Sequence, residues 1–374
     1  MAIPKKKVFL MKPKVLAYYL PQFHPIPEND LWWGKGFTEW TNVSKATPLF
    51  QGHYQPKVPA DLGYYDLRVP ETRIEQARLA AQYGIHGFCY WHYWFGNRKQ
   101  LLERPFNEVV SSGEPDFPFC LAWANESWKG FDHGLKNRKV LIEQTYGGEK
   151  DYTEHFYSVL PAFLDKRYIK RNGYPLFTIY FPQNIPDCKA FVDLWQTLAQ
   201  KNGLPGIFFI GLSLHTDEQT LASMQQLGMN AISTIRLEDF YGNLKHRVSL
   251  GQKIHNKLTG NVLPPRALEY KDTMKFFYNS LDANPGIYPT IISGWDHSPR
   301  TGREGLIMYN YTPDLLKEHA TQILSLVQNK NDEDTFVFLK SWNEWAEGNY
   351  MEPDLKYGHQ FLQALKEAID SFSK

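Results

Sequence analysis

The chain has 374 residues, 43% hydrophobic and 22% charged, which excludes a disordered or fibrous polypeptide and allows one large domain or two ordinary ones. Its 41 Lys and Arg against 40 Asp and Glu leave no charge excess for a nucleic-acid or membrane surface, so neither partner is expected. The outlying figure is aromatic content: 11 Trp, 22 Tyr and 24 Phe, rings that either fill a core or stack on the C–H faces of sugars.

The first residues, MAIPKKKVFLMKPKVLAYYL, are basic but lack the roughly 7–15-residue apolar stretch of a signal peptide. The apolar run 15–20 is too short to span a bilayer and meets Pro21. Cys89, Cys120 and Cys188 are odd in number and have no CxxC spacing; two sit in apolar runs, as buried hydrophobes do. These features predict a cytoplasmic protein with one domain over 14–374 behind a short extension, 1–13.

From residue 14 onward, apolar and aromatic runs alternate with helix-period segments and no sequence repeat is visible. The runs are KVLAYYL (14–20), HGFCYWHYW (86–94), FPFCLAW (117–123), YPLFTIYF (174–181), GIFFIGLS (206–213), NAISTIR (230–236), YPTIISGW (288–295) and TFVFLKSW (335–342). Such runs read as strands buried on both faces, the pattern of a parallel sheet. Pro70 opens a helix that Gly84 closes, and Thr312-Pro313 is an N-cap and first-turn signal for a helix over 314–328. Eight strands in βα alternation predict a single α/β domain, a (β/α)₈ TIM barrel. A doubly wound sheet is the alternative, but no GxGxxG follows a strand. Long loops are expected after strand one (21–69) and after strand six (237–287, with the basic cluster Lys245, His246, Arg247); both lie at the barrel face where active sites are built.

The densest chemical signal is SWNEWAEGNYMEPD (341–354), after strand eight. If the chain turns helically there, Glu344 and Glu347 share one side with Cβ atoms about 5–6 Å apart, so that each carboxyl raises the other's pKa and acid and base roles can divide. Trp342, Asn343 and Trp345 flank them. The plainer reading is an exposed Glu-x-x-Glu favoured by a helix dipole. After strand three, Asn125 and Glu126 lie between Trp123 and Trp128, and Glu126 with Glu344 is a rival carboxylate pair. Tyr90, His92 and Trp94 alternate toward one side of strand two and are candidate site residues, with a core role for His92 an equal reading. Asp296 and Arg300, beside Trp295 after strand seven, are a candidate substrate clamp or a surface ion pair. Tyr18, Tyr19 and Trp40 add aromatic candidates on strand one and in its loop. No HxH, HExxH or His-Cys cluster calls for a metal, no cofactor motif is present, and GxSxG is lacking. The one Asp-x-Asp, Asp332 to Asp334, precedes strand eight instead of following an apolar strand, as a glycosyltransferase metal motif would.

YYLPQFHPIPENDLWWGKGFTEWTNV, PLFQGHYQP, DLGYYDL, GIHGFCYWHYWF, LLERPF, PFCLAWANESW and WNEWAEG, in that order from Val15 onward, resemble the WbsX family of bacterial O-antigen and capsular polysaccharide clusters. That family carries the label glycosyltransferase and is itself similar to glycoside hydrolase family 99, the endo-α-mannosidases, which are (β/α)₈ barrels. The second resemblance implies that Glu344 deprotonates a sugar 2-hydroxyl to give a 1,2-anhydro intermediate. It implies that Glu347 is general acid and then general base, and that Tyr18, Tyr19 and Arg300 hold sugar. WANESW and the 21–69 loop are WbsX features, so mannosidase substrate contacts do not transfer. The expected activity is a retaining endo-glycosidase or transglycosidase on a bacterial surface oligo- or polysaccharide, with lipid-linked intermediates as the form met in the cytoplasm. A glycosyltransferase of O-antigen assembly and a non-catalytic glycan-binding barrel are the alternatives.

Overall fold

The computed structural model of the protein describes residues 13–130, 139–237, 239, 263–330 and 335–372. The Lys245–Arg247 cluster and the Asp332–Asp334 motif lie outside the described residues. Each of the eight apolar runs coincides with one barrel strand, β7 starting one residue ahead of its run: β1 (Lys14–Tyr19), β2 (Gly87–Trp94), β3 (Phe119–Trp123), β4 (Tyr174–Ile179), β5 (Phe208–Ser213), β6 (Ala231–Thr234), β7 (Ile287–Ile292) and β8 (Phe336–Lys340). Each pairs in parallel with its neighbour in sequence, and β1 pairs with both β2 (Leu16 opposite Gly87) and β8 (Lys14 opposite Phe336), which closes the barrel.

Among the described residues seven longer helices return the chain: α1 (Pro70–Gln82), α2 (Arg104–Ser112), α3 (Gly148–Leu164), α4 (Cys188–Lys201), α5 (Glu218–Gln226), α6 (Pro313–Val327) and α7 (Gln360–Ser371). Their ends follow the local chemistry. Pro70 occupies the first turn of α1, and the Thr312 side chain accepts the Leu315 N–H at 3.4 Å as N-cap of α6. Between β6 and β7 the described residues hold no long helix, only short helical turns such as Tyr270–Thr273 and Ser280–Ala283 and a short strand, Ala267–Glu269, which pairs with Ile307–Tyr309. The loop after β1 carries two short helices, Pro27–Trp33 and Glu39–Ser44. No helix among the described residues is long and apolar enough to cross a membrane.

Because every strand is buried on both faces, parity decides what each aromatic does. On the inner face, the Tyr18 ring lies parallel to Trp91 at 4.7 Å and packs on Phe338 at 5.1 Å, filling the barrel below its mouth. On the outer face, Tyr19 donates to Gln76 of α1 at 2.6 Å, and Tyr90 packs on Phe106 of α2. His92 bonds His155 of α3 at 2.8 Å, and Trp94 stacks on that same ring. Trp123 packs on His155 and on Phe191 of α4. The rings of these strands therefore divide between the barrel interior and the strand-to-helix layer. The three cysteines are free and buried.

Candidate active site

The site is built on a hairpin directly after β8. Asn343–Glu344 pairs antiparallel with Asn349–Tyr350, and a 3₁₀ turn, Trp345–Glu347, joins them. With three residues per turn, residues i and i+3 stack, so Glu344 and Glu347 come to one side, as their spacing predicts. Gly348 closes the turn at φ +68°. A Cβ there would stand 2.6 Å from both the Asp296 backbone nitrogen and its Cβ, so a side chain would displace the β7 loop from the glutamates.

Glu344 is buried, and both its oxygens are engaged: the Trp91 indole N–H donates to Oε1 and the Lys340 ammonium to Oε2, each at 2.6 Å. Lys340 also stands 3.6 Å from Glu347 Oε2, so one ammonium joins the two carboxyls. Glu347 takes the Arg300 guanidinium on Oε1 at 2.5 Å. The other arm of Arg300 reaches Glu39 Oε1 at 2.8 Å, and that oxygen also accepts the Ala346 N–H at 3.1 Å. Glu39 thereby ties the loop after β1 to the Trp345–Glu347 turn.

Three carboxyls thus face two cations, and one proton among the carboxyls brings the cluster to neutrality. Burial, reinforced by the charge of Glu347, pushes the Glu344 carboxyl up to about 7 against the pull of Lys340. Burial would raise Glu347 too, but Lys340, Arg300 and His297 outweigh it and hold that carboxyl well below the usual range. Burial opposes the charge on Arg300, yet Glu39, Glu347 and Glu344 keep its pKa above the ordinary value. Burial also raises Glu39 against the pull of Arg300, and between Glu344 and Glu347 it is Glu344 that holds a proton to the higher pH.

The cleft around the pair is about 190 Å³, walled by Trp91, Tyr93, Trp128, Tyr180, Trp295 and His297, with Glu126 and Arg300 among its polar groups. Burial drops His297 to about 4, so it faces the cleft neutral near pH 7. Of the residues predicted from sequence, Glu344, Glu347, Glu126, Trp295 and Arg300 line this space. Glu126 stands exposed at its rim, above the buried pair.

The others are placed elsewhere, and this corrects the expectation that they contact substrate. Tyr18 lies below the cleft in the barrel interior. Tyr19, Tyr90, His92, Trp94 and Trp123 face the helices, and Trp342 packs on Phe88 in the same outer layer at 5.3 Å. Trp40 donates to the Tyr65 carbonyl, and the Trp345 indole donates to the buried Glu352 at 2.6 Å while its ring stacks on Tyr350. Asn343 laces the end of β8 to Leu20, accepting its N–H at 2.7 Å and donating to its carbonyl at 3.0 Å. Asn125 does the same for Phe181 across the ends of β3 and β4. Asp296 accepts His53 and Gln55 behind the Trp295 wall. Lys340, Glu39, Trp91 and Tyr93 were missed. FTEW held Glu39, and YWHYW held Trp91 and Tyr93 at the opposite parity from the one chosen.

Fold and site together define a barrel with a carboxylate pair at the C-terminal ends of its strands, the face on which barrel enzymes build active sites. The same fold occurs in an endo-α-mannosidase of glycoside hydrolase family 99 from Bacteroides thetaiotaomicron, at 14% identity and TM-score 0.59 over 96% of this chain and 97% of that one. It occurs also in a glycoside hydrolase-like protein, at 15% identity and TM-score 0.61 over 99% and 97%. The chain belongs to the WbsX family: the model of the family described as "Glycosyltransferase WbsX" matches residues 15–365. Protein WxcX of two Xanthomonas campestris pv. campestris strains is 35% identical over 360 residues, 95% of this chain and 49% of WxcX. The chain thus spans about half the length of these curated relatives.

Proposed function

We propose that this protein is a retaining endo-glycosidase or transglycosidase acting on a bacterial surface oligosaccharide of the O-antigen or capsule class, through Glu344 and Glu347. The observation that carries this reading is a pair of carboxyls bridged by one ammonium, with pKa shifts of opposite direction, in a cleft walled by aromatic rings. Glu344 lies at the floor, fixed by Trp91 and Lys340, and suits a base for a ring hydroxyl; a pKa near 7 is well matched to that task. Glu347 is the more accessible, with a side chain 17% exposed against 4% for Glu344, and suits a group that must reach the leaving oxygen and later a water. In the productive state the shared proton moves to Glu347, so that Glu344 takes the 2-hydroxyl proton as Glu347 protonates the departing oxygen. The C1–leaving-group bond breaks as the 2-oxygen closes on C1, giving a 1,2-anhydro sugar that water or an acceptor hydroxyl then opens. Arg300 and Glu39 hold the turn in place.

The test is incubation with oligosaccharide repeats of the host's surface polysaccharide, with mass-spectrometric detection of cleaved or transferred chains. Product that vanishes with Glu344→Gln and Glu347→Gln supports the assignment. Product formed at the wild-type rate by both variants overturns it. Transfer that requires a nucleotide sugar supports the glycosyltransferase reading that the family name carries.

A further inference from the structure

A second cavity, about 280 Å³, lies back to back with the cleft, between the loops that follow β1, β7 and β8. Trp295 lines both spaces, and the dividing wall is held by the Asp296 N–H donating to the Glu347 carbonyl at 2.6 Å. Loops after the seventh and eighth strands are where barrels recurrently build phosphate sites.

The polar groups of this cavity are unevenly satisfied. Its two carboxylates are engaged. Asp296 accepts His53 at 2.9 Å, Gln55 at 2.7 Å and the Ser298 N–H at 3.0 Å. Asp354 accepts the Tyr350 hydroxyl at 2.6 Å and two backbone N–H groups at 3.0 and 2.7 Å. Its two ammonium groups are not. Lys57 has one long hydrogen bond, to the Gly348 carbonyl at 3.4 Å, and the Tyr350 ring at 5.1 Å. Lys356 lies over the Tyr54 and Tyr357 rings at 4.7 and 4.8 Å. Among the described residues neither lysine has a carboxylate within ion-pair distance, and the buried Tyr311 hydroxyl has no partner. Lys57 is half-buried with one long hydrogen bond and Lys356 is exposed, so each ammonium has donors left for an anionic ligand. Burial pushes the Lys57 ammonium down from its ordinary pKa, against the pull of the Asp296 and Asp354 charges nearby, neither of which is in contact with it. The surrounding rings offer flat faces to a sugar.

We propose that this second cavity binds an anionic group carried on a sugar ring, a uronic-acid carboxylate or a phosphate ester, with Lys57 as its principal partner. The glycan handled in the neighbouring cleft is then an acidic one. That last step rests on the cleft being glycan-active; the binding site itself does not.

Ligand-observed NMR titration of the whole chain with glucuronic acid, glucose 1-phosphate and glucose tests it. At least one anionic probe is expected to bind about tenfold or more tightly than glucose, and Lys57→Met to remove that advantage, while Glu344→Gln leaves it intact. A preference for the carboxylate or for the phosphate names the source of the charge. Equal binding of glucose, no binding of either anion, or anion binding that survives Lys57→Met overturns the proposal. Circular dichroism checks folding; if Lys57→Met does not fold, Lys356→Met at its exposed position replaces it, with a several-fold loss expected and an unchanged affinity counting against the site. If the anion binds as expected but Glu344→Gln and Glu347→Gln keep full turnover on oligosaccharide, the cleft reading falls and the second site stands.

Discussion

The two faces of β2 carry nearly the same kind of residue and do different things. Outward, Tyr90, His92 and Trp94 are locked against α2 and α3, and burial drops His92 to about 3, a neutral ring hydrogen-bonded to another neutral ring. Inward, Trp91 and Tyr93 wall the cleft, and Trp91 spends its only donor on Glu344. A one-residue shift separates a packing ring from a site ring. Composition counts both alike, so aromatic richness alone says little about a sugar site.

The contrast is broken most directly at its inner end. With the glycosyl fluoride of the reacting sugar, whose leaving group needs little protonation, Glu347→Gln should recover most of its first-step rate. Glu344→Gln should remain at least about 10³-fold impaired with any leaving group, since the ring hydroxyl still needs its base. Rescue of Glu344→Gln instead would exchange the two roles. On the outer face the expected loss is stability. Trp123→Ala empties a site packed between β3, α3 and α4 and should cost about 3–5 kcal/mol in chemical denaturation, with unchanged turnover per folded molecule. Trp91→Phe should do the reverse. It keeps a ring but leaves Glu344 Oε1 without its donor, an effect of about 1–3 kcal/mol read as a roughly 10–100-fold lower kcat at near-native stability. If Trp91→Phe instead unfolds the chain while Trp123→Ala lowers turnover, the assignment of faces is wrong.

What was legible in the sequence followed from local signals that tertiary structure does not override. Eight doubly buried runs, Pro70, and Thr312-Pro313 were enough for barrel and helix starts, and the three-residue spacing of Glu344 and Glu347 predicted their common side. The side of each strand was not legible, because both faces of a barrel strand are apolar and no polar alternation sets parity. Hence the sequence points to Tyr90, His92 and Trp94 as readily as to Trp91 and Tyr93. Lys340 was hidden for the same reason: a lysine ending FVFLK reads as a strand-end charge until closure brings it between two carboxyls. Glu39 and Asp296 depend on contacts across more than 200 residues, which no spacing announces.

The finest test of the inner face is its proton. The pair carries one proton only while Glu344 keeps it, so turnover should fall as pH rises through about 7. Glu347, held down by Lys340 and Arg300, places the acid limb below the ordinary glutamate range, and the profile should be level from there to about 7. The same shift enters stability with a definite sign. Glu344 is raised above its unfolded value, so its contribution is full below the ordinary glutamate pKa near 4.5 and is lost as pH climbs toward 7. Lys340→Met removes the charge that lowers both carboxyls, so each should retain its proton to higher pH. The alkaline limb should then move up by about one unit, since a single ammonium in contact with a carboxylate lowers its pKa by about 1–3 units. A limb that stays in place, with kcat merely reduced, would mean that Lys340 serves the turn's geometry and leaves the position of the proton to burial alone.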